Sequence, residues 1–243
     1  MTPAAVSSSI MSTFVDSQSE TCAQLDLPWD RARLAVLDFE TTGLSADDAI
    51  ISFGAVHVDA GRVVGRSSVY GLVRPVVPPS PESVQVHAIR PCDLENAPSL
   101  PEALDPLFVA LTGRVLVAHA AWVETGFLDR ALLSRGLAVD LPAVDTAELA
   151  WTHFGLPRDP RRSPGLETVA TRLGLPIFTP HHALGDAWTT ALVFLVMARH
   201  RAKDRPLLLK DLVAASNPDR RGGAEPRRSW RSRKTSGTGR RSR

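Results

Sequence analysis

The chain has 243 residues, 44% of them apolar, which is enough for one domain with a substantial core. Two cysteines are too few for a disulfide framework, and no apolar run is long enough to span a bilayer, so we expect a cytoplasmic protein without membrane contact. The net charge of +2 conceals an asymmetry, because residues 216–243 carry a net charge of +8 and the remaining residues sum to −6. Such a basic segment is typical either of contact with a polyanion or of a solvated, disordered end.

The amino-terminal part of the chain predicts three strands. Residues 1–30 show little hydrophobic periodicity and predict a mobile arm, so regular structure should begin near Arg33. The apolar run 34–39 predicts a central strand that is buried on both faces. Residues 50–58 and 63–73 are rich in Val and Ile and flank a short turn, which predicts a hairpin.

The rest of the chain follows a proline-rich connector and predicts strands that alternate with helices. Strands are predicted over 114–118 and 141–145, and helices over 99–111, 121–135, 146–154, 163–173 and 183–200. Three strands followed by this alternation predict an α/β fold with a mixed sheet and helices on both faces. We therefore assign one domain to residues 31–204 and a basic, disordered tail to residues 205–243.

Two acids stand at the carboxyl end of the first predicted strand, Asp38 and Glu40. Residues i and i+2 of a strand point to the same face, so both carboxylates should project together where α/β folds usually place their sites. Adjacent acids that enter a core repel each other unless a cation lies between them. Alternatively, one or both acids cap the turn that begins at Thr41.

The segment Asp38-Phe39-Glu40-Thr41-Thr42-Gly43-Leu44 resembles the first motif of the DnaQ-like, or DEDDh, 3′–5′ exonucleases. That group includes epsilon-type proofreading subunits of DNA polymerase III and several RNA-trimming enzymes. The resemblance runs from about Leu34 to Arg199 and includes the segments Val86-His87-Ala88-Ile89 and Val144-Asp145-Thr146. It implies a ribonuclease H-like fold with a five-stranded mixed sheet.

The second motif of this family usually reads Val-Ala-His-Asn, then Asp after three further residues. Here Ala120 replaces the Asn, and Glu124 replaces the Asp with a side chain one methylene longer. Because ligand type and charge survive, we expect Glu124 to bind metal, with a lower catalytic rate or a preference for Mn²⁺. Asp129 is a rival ligand, but five helical residues turn it about 140° from Glu124. Glu124 could otherwise be an exposed acid stabilised by the helix dipole.

The third motif matches the family at His181 and Asp186, just before a long apolar helix. The resemblance makes His181 the general base, and an imidazole with a reference pKa of about 6.5 can accept a proton from water near neutral pH. His182 is the adjacent competitor, and the family spacing selects His181. We assign His119 to a structural role, since the family's second-motif ligand is the acid.

The resemblance thus implies a two-metal hydrolytic site with His181 as the base. Oxygen-only ligands suit two Mg²⁺ or Mn²⁺ ions. The ligands would be Asp38, Glu40, Glu124 and Asp186. Substrate binding would involve Thr41, Leu44 and His87, where Leu44 resembles an apolar wedge against terminal bases and would otherwise be a core leucine.

The resulting hypothesis is a 3′–5′ exonuclease that releases nucleoside monophosphates from single-stranded or frayed 3′ ends. Analogy with proofreading subunits slightly favours DNA, in proofreading or repair, over an RNA-trimming role. The tail would add affinity for the strand or contact a polymerase or another protein. A second hypothesis, based on Ala120 and Glu124, is a non-catalytic binding domain whose nuclease site has decayed.

Overall fold

A computed structural model describes residues 3–45, 47–159, 163–203 and 205–216, with the backbone alone over 3–8. The chain forms a five-stranded sheet in the order β3-β2-β1-β4-β5. The first three strands pair antiparallel, while β4 pairs parallel with β1 and β5 pairs parallel with β4. This arrangement confirms the predicted mixed sheet. The strands are β1 (Arg33–Thr41), β2 (Ile50–Asp59), β3 (Arg62–Leu72), β4 (Val115–Ala118) and β5 (Ala143–Asp145).

The predicted hairpin is formed by β2 and β3 around a two-residue turn. Ala60 and Gly61 both have positive φ angles, 50° and 67°. Two consecutive positive φ angles give the turn a twist that matches the right-handed twist of the flanking strands. The turn therefore fixes the register in which Asp59 faces Arg62.

Helices cover both faces of the sheet, as predicted. Along β1, Leu37 and Phe39 belong to one core layer, and Leu34 and Val36 belong to the other. The first layer is closed by α1, α5 and α6, and the second by α7 to α10. The helices are α1 (Pro3–Asp16), α2 (Gln18–Ala23), α3 (Pro81–His87), α4 (Pro91–Leu94), α5 (Leu100–Leu111), α6 (Trp122–Leu133), α7 (Thr146–His153), α8 (Leu166–Arg172), α9 (Ala183–Arg201) and α10 (Leu209–Ser216). Within the described ranges, no helix is long and apolar enough to cross a membrane.

The prediction that regular structure begins near Arg33 is wrong. Residues upstream form α1 and α2, and Phe14 of α1 is buried with its ring 5.1 Å from the ring of Phe108. Trp29 is also buried, against Phe194 of α9. A helix that is anchored by a few large side chains leaves little periodic signal, because small polar residues occupy most of its length.

The predicted end of the domain at residue 204 is also wrong. Helix α10 follows it, and Leu207, Leu209 and Leu212 are buried in the second core layer. The folded domain therefore extends to Ser216. The basic segment 217–243, which we predicted to be disordered, lies outside the described residues. The short helices α3 and α4, after the proline-rich connector, were not predicted.

Candidate active site

Asp38 and Glu40 lie two residues apart on β1 and project from the same face of the sheet. Across the antiparallel ladder they face Gly54 and Ser52 of β2. The register shifts between Glu40 and Thr41, so regular pairing ends immediately after the second acid. Both carboxylates therefore stand where the strand leaves the sheet, as predicted.

The first turn of α9 lies directly against this part of the sheet because Gly54 has no side chain. A Cβ at Gly54 would lie 2.3 Å from the backbone nitrogen of Leu184, far inside van der Waals contact. This close approach brings Asp186 to the two acids of β1. One carboxylate oxygen from each of Asp38, Glu40 and Asp186 lies within 4.8 Å of the other two.

Glu124 is the third residue of α6 and points into the same region. Its side chain is 3% exposed, and its Oε2 has no hydrogen-bond partner in the described part of the chain. Glu124 is outside the group of three acids, but after burial its charge contributes most to raising the pKa of Asp38. Asp129, the rival ligand, is not among the acids that raise this pKa. Glu124 therefore interacts electrostatically with the first acid of β1.

The electrostatics of these acids show that they are crowded. Burial raises the pKa of Glu40 to about 8, and the charge of Asp186 adds to this effect. Burial also raises the pKa of Asp186 to about 6, although the N–H of His181 donates to its Oδ2 at 3.0 Å and opposes the shift. A bound cation would favour the ionised forms of these acids. An oxygen of Glu124 without a partner among the described residues, and an all-carboxylate donor set, fit a hard divalent cation.

His181 lies on the loop before α9, at the rim of the carboxylate group. Its φ angle of 56° is uncommon for a residue with a side chain and indicates that the surrounding contacts hold the loop in place. The imidazole is 51% exposed, and its Nε2 lies 3.6 Å from Oε1 of Glu167. The ring is therefore open to solvent.

His182 makes different contacts from those of His181. It is the N-cap residue of α9, and its Nδ1 accepts a hydrogen bond from the N–H of Gly185 at 3.4 Å. Its ring stacks on Tyr70, with 4.6 Å between the ring centroids and 20° between the planes. These contacts hold its imidazole at the start of α9.

Of the three predicted substrate-binding residues, Thr41 and Leu44 follow Glu40 along the chain, and His87 lies near His181. Thr41 is buried, and its hydroxyl donates to the carbonyl of Gly43 at 2.8 Å. Leu44 is 56% exposed, so it is not a core leucine. His87 is buried, and its Nε2 has no hydrogen-bond partner within the described residues. Burial and the nearby His181 lower its pKa, which favours a neutral imidazole.

Asp145 supports the site and was not predicted as a site residue. Its Oδ1 accepts the N–H groups of Ala120 at 3.0 Å and Ala147 at 2.9 Å, and its Oδ2 accepts that of Ala121 at 3.0 Å. It therefore joins the start of α6, which carries Glu124, to the start of α7. An Asp directly after a strand is a common N-cap signal, and this signal could have identified it.

The second motif departs from the family at a strained position. Ala120 has a φ angle of 59°, in the left-handed region that Asn tolerates better than Ala. The preceding His119 has its ring nitrogens 2.9 Å from the Thr146 hydroxyl and 2.7 Å from the Pro164 carbonyl. Burial lowers the pKa of His119 to about 4, so the ring is neutral at neutral pH. These contacts agree with the structural role assigned to His119.

The sequence is similar to those of known exonucleases and polymerase components. The sequence model of the Exonuclease family, RNase_T, matches residues 35–194. The DNA polymerase III subunit epsilon of Treponema pallidum is 32% identical over 177 residues, which cover 72% of this chain and 80% of that protein. The PolC-type DNA polymerase III of Thermotoga petrophila is 36% identical over 173 residues. That match covers 70% of this chain, but the chain spans only 12% of the PolC-type protein.

Solved structures share the fold at lower identity. Exonuclease X in complex with 5′ overhanging duplex DNA has a TM-score of 0.55 and 22% identity, covering 74% of this chain and 99% of that chain. The nuclease domain of 3′hExo, a DEDDh family member bound to rAMP, has a TM-score of 0.60 and 16% identity, covering 72% and 95%. These likenesses confirm the predicted ribonuclease H-like fold class.

Proposed function

Because this chain belongs to the Exonuclease family and is a DnaQ-like 3′–5′ exonuclease, we propose that it removes nucleoside monophosphates from nucleic-acid 3′ ends by metal-dependent hydrolysis. The convergence of Asp38, Glu40 and Asp186 on one point carries the proposal. Carboxylates of β1 and α9 would not be buried together for stability alone, since burial raises their pKa values. Glu124 beside them completes a donor set for divalent ions.

The acids would hold two Mg²⁺ or Mn²⁺ ions, whose charge would stabilise the entering and leaving oxygens of an in-line displacement at phosphorus. Asp38, Glu40 and Asp186 lie close enough together to share one ion, and Glu124 would support a second beside Asp38. In the reaction a water oxygen bonds to phosphorus, the bond from phosphorus to the 3′ oxygen of the preceding nucleotide breaks, and this oxygen takes a proton from solvent. One proton of the attacking water is removed. We assign that proton to the exposed ring of His181.

The surroundings of the acids suit a strand end. Leu44 presents an exposed apolar side chain after the first motif, where a terminal base could pack. His87, with a neutral ring near Thr41 and His181, would line the pocket for the terminal nucleotide. Thr41, Leu44 and His87 would together bind the terminal nucleotide.

DNA is the substrate that we propose, in proofreading or repair. The support is the sequence identity of 32–36% with DNA polymerase III components. The nuclease domain bound to rAMP is only 16% identical. An RNA-trimming role is the alternative, because recognition of the 2′-OH depends on pocket details that the motifs leave open. The cytoplasmic location predicted from the sequence remains part of this proposal.

The basic segment would contact the same strand. Ser216 ends α10, and its hydroxyl donates to the carbonyl of Asp145 at 3.5 Å. Asp145 lies at the carboxyl end of β5, on the edge of the sheet where β1 presents its acids. The last described residue before the basic segment 217–243, which contains ten Lys or Arg, therefore lies at the catalytic edge of the domain. Contact of this segment with a polymerase or another protein is the alternative.

One experiment tests the activity and the choice of strand together. Single strands of DNA and RNA labelled at the 5′ end are incubated with Mn²⁺ and the wild type, Asp38→Ala or His181→Ala. We expect a ladder that shortens by one nucleotide at a time for the wild type, and losses of at least about 10²-fold for both variants. Equal and negligible shortening by the wild type and Asp38→Ala on both substrates would support the binding domain with a decayed site. A 3′-phosphorothioate end controls for direction, since it should block the first cleavage.

A further inference from the structure

Tyr70, the single tyrosine of the chain, lies beside the catalytic acids without belonging to the predicted site. It is on β3 and faces Gly54 of β2, which in turn faces Asp38 of β1. Partners in antiparallel strands point to the same face, so Tyr70 and Asp38 flank Gly54 on the face covered by α9. The space above Gly54 is filled by the backbone of Leu184, in the first turn of that helix.

The contact between Tyr70 and α9 is made through His182. The Tyr70 and His182 rings are stacked at 4.6 Å, and Tyr70 is still 40% exposed. His182 is the N-cap residue of α9, and its hydrogen bond from Gly185 is long, at 3.4 Å. Histidine is not among the favoured N-cap residues, so this cap depends on the orientation of the ring. The tyrosine ring supplies a flat surface that fixes that orientation.

The first turn of α9 matters because it carries part of the site. His181 directly precedes His182, with a φ angle of 56°, and its N–H donates to Asp186 at 3.0 Å. A shift of the cap residue would therefore move the base and a metal ligand together. Burial and the charge of Glu40 raise the pKa of Tyr70, whereas a hydrogen bond with the Ser52 side chain lowers it. The effect of Glu40 agrees with the position of Tyr70 beside the carboxylates.

We propose that Tyr70 is a positioning residue, which acts through its stack on His182 to hold the first turn of α9 in register with Asp38. This inference rests on the proposed nuclease function only for its effect on rate. The geometric part, that the stack orders the cap of α9, stands independently of activity. Tyr70 need not touch the substrate for this role.

A double-mutant cycle tests the proposal. The variants are Tyr70→Ala, Tyr70→Leu, the ring-preserving control Tyr70→Phe, His182→Asn, which is a strong N-cap without a ring, and the double variant with both Tyr70→Ala and His182→Asn. Hydrogen exchange of the Gly185 amide reports the cap without any need for activity. The kcat and KM on a labelled single strand report the site, and thermal unfolding confirms that each variant folds.

We expect Tyr70→Ala and Tyr70→Leu to lower the protection of the Gly185 amide against exchange by about 2- to 12-fold, which is the range for removal of an aromatic pair. Both variants should also lower kcat with little change in KM. Tyr70→Phe should remain within about twofold of the wild type for both quantities. With Asn at position 182, Tyr70→Ala should have little further effect. The proposal is overturned if Tyr70→Ala costs as much in that background as in the wild type, or if it raises KM alone. If no variant and not even the wild type cleaves nucleic acid, the nuclease proposal fails, and the exchange data still decide the role of Tyr70.

Discussion

Because Gly54 lies directly against the backbone of α9, we expect the substitution Gly54→Ala to lower both stability and activity. The new Cβ would lie 2.3 Å from the nitrogen and 2.4 Å from the Cα of Leu184, and 2.4 Å from the carbonyl carbon of Ala183. All three are backbone atoms, so no side-chain rotation can relieve the clash. Since non-bonded carbon atoms sit about 3.5–4.0 Å apart, α9 must move away from β2 by roughly 1 Å or more.

The expected cost has two parts. Overpacking of this kind lowers the free energy of unfolding by about 1–3 kcal/mol. A displacement of about 1 Å between Asp186 and the acids of β1 can lower the rate by about 10²-fold. Urea unfolding measures the first part, and Mn²⁺-dependent kcat on a single strand measures the second. The activity loss should therefore exceed what the fraction of unfolded protein explains.

A matched control is available at Gly165. It has a φ angle of −67°, and among the described residues a Cβ there would meet no atom nearer than the Thr168 hydroxyl oxygen at 3.9 Å. Gly165→Ala should change the free energy of unfolding by no more than about 1 kcal/mol and leave kcat near the wild-type value. If Gly54→Ala retained wild-type stability and wild-type kcat, the reasoning that this glycine sets the position of α9 would be refuted.

Other parts of the protein can be tested by stability and binding measurements. Ala120→Asn should raise the free energy of unfolding by about 0.5–1 kcal/mol, because Asn tolerates the left-handed backbone at this position. Ala121→Asn is the control, since Ala121 has a φ angle of −52° and should give no gain. Thermal unfolding of both variants measures the difference. In the metal-free protein the pKa of Glu40 is raised from an ordinary value of 4.5 to about 8, so the folded state binds this proton more tightly than the unfolded state does. The free energy of unfolding should therefore fall as the pH rises from about 4.5 to 8. Thermal unfolding in EDTA and in Mn²⁺ checks this, and an identical fall in both would contradict it. Deletion of 217–243 should flatten the salt dependence of strand binding by about 0.7 in the log–log slope for each phosphate that the segment neutralises, and an unchanged slope would remove the segment from nucleic-acid contact.

The sequence predicted the parts of this protein that depend on local pattern. The apolar run before Asp38, and the i, i+2 spacing to Glu40, define both a buried strand and the face of its acids. The turn at Ala60 and Gly61 fixes the hairpin in the same local way. The family membership that the motifs implied is confirmed, and His181 and Asp186 lie together at the start of α9 as expected.

The features that were not predicted depend on residues far apart in the chain. Nothing around Gly54 indicates that a helix 130 residues later lies on its backbone, and nothing around Tyr70 indicates His182. Asp145 acts on Ala120 and Ala121 through hydrogen bonds between segments that follow two different strands. Such pairs can be recognised only once the sheet order is known, because a single sequence has no periodic signal for them.

The burial of Phe14 and Leu212 has a practical consequence for anyone who works with a shortened form of this domain. The family match covers residues 35–194, yet Phe14 lies before it and Leu212 after it, one on each face of the sheet. A fragment cut to the matched range would expose Phe108 on one side and the surface that α10 covers on the other. We expect such a fragment to aggregate or to lose activity for reasons unrelated to catalysis, so negative results from it would say little about the catalytic acids.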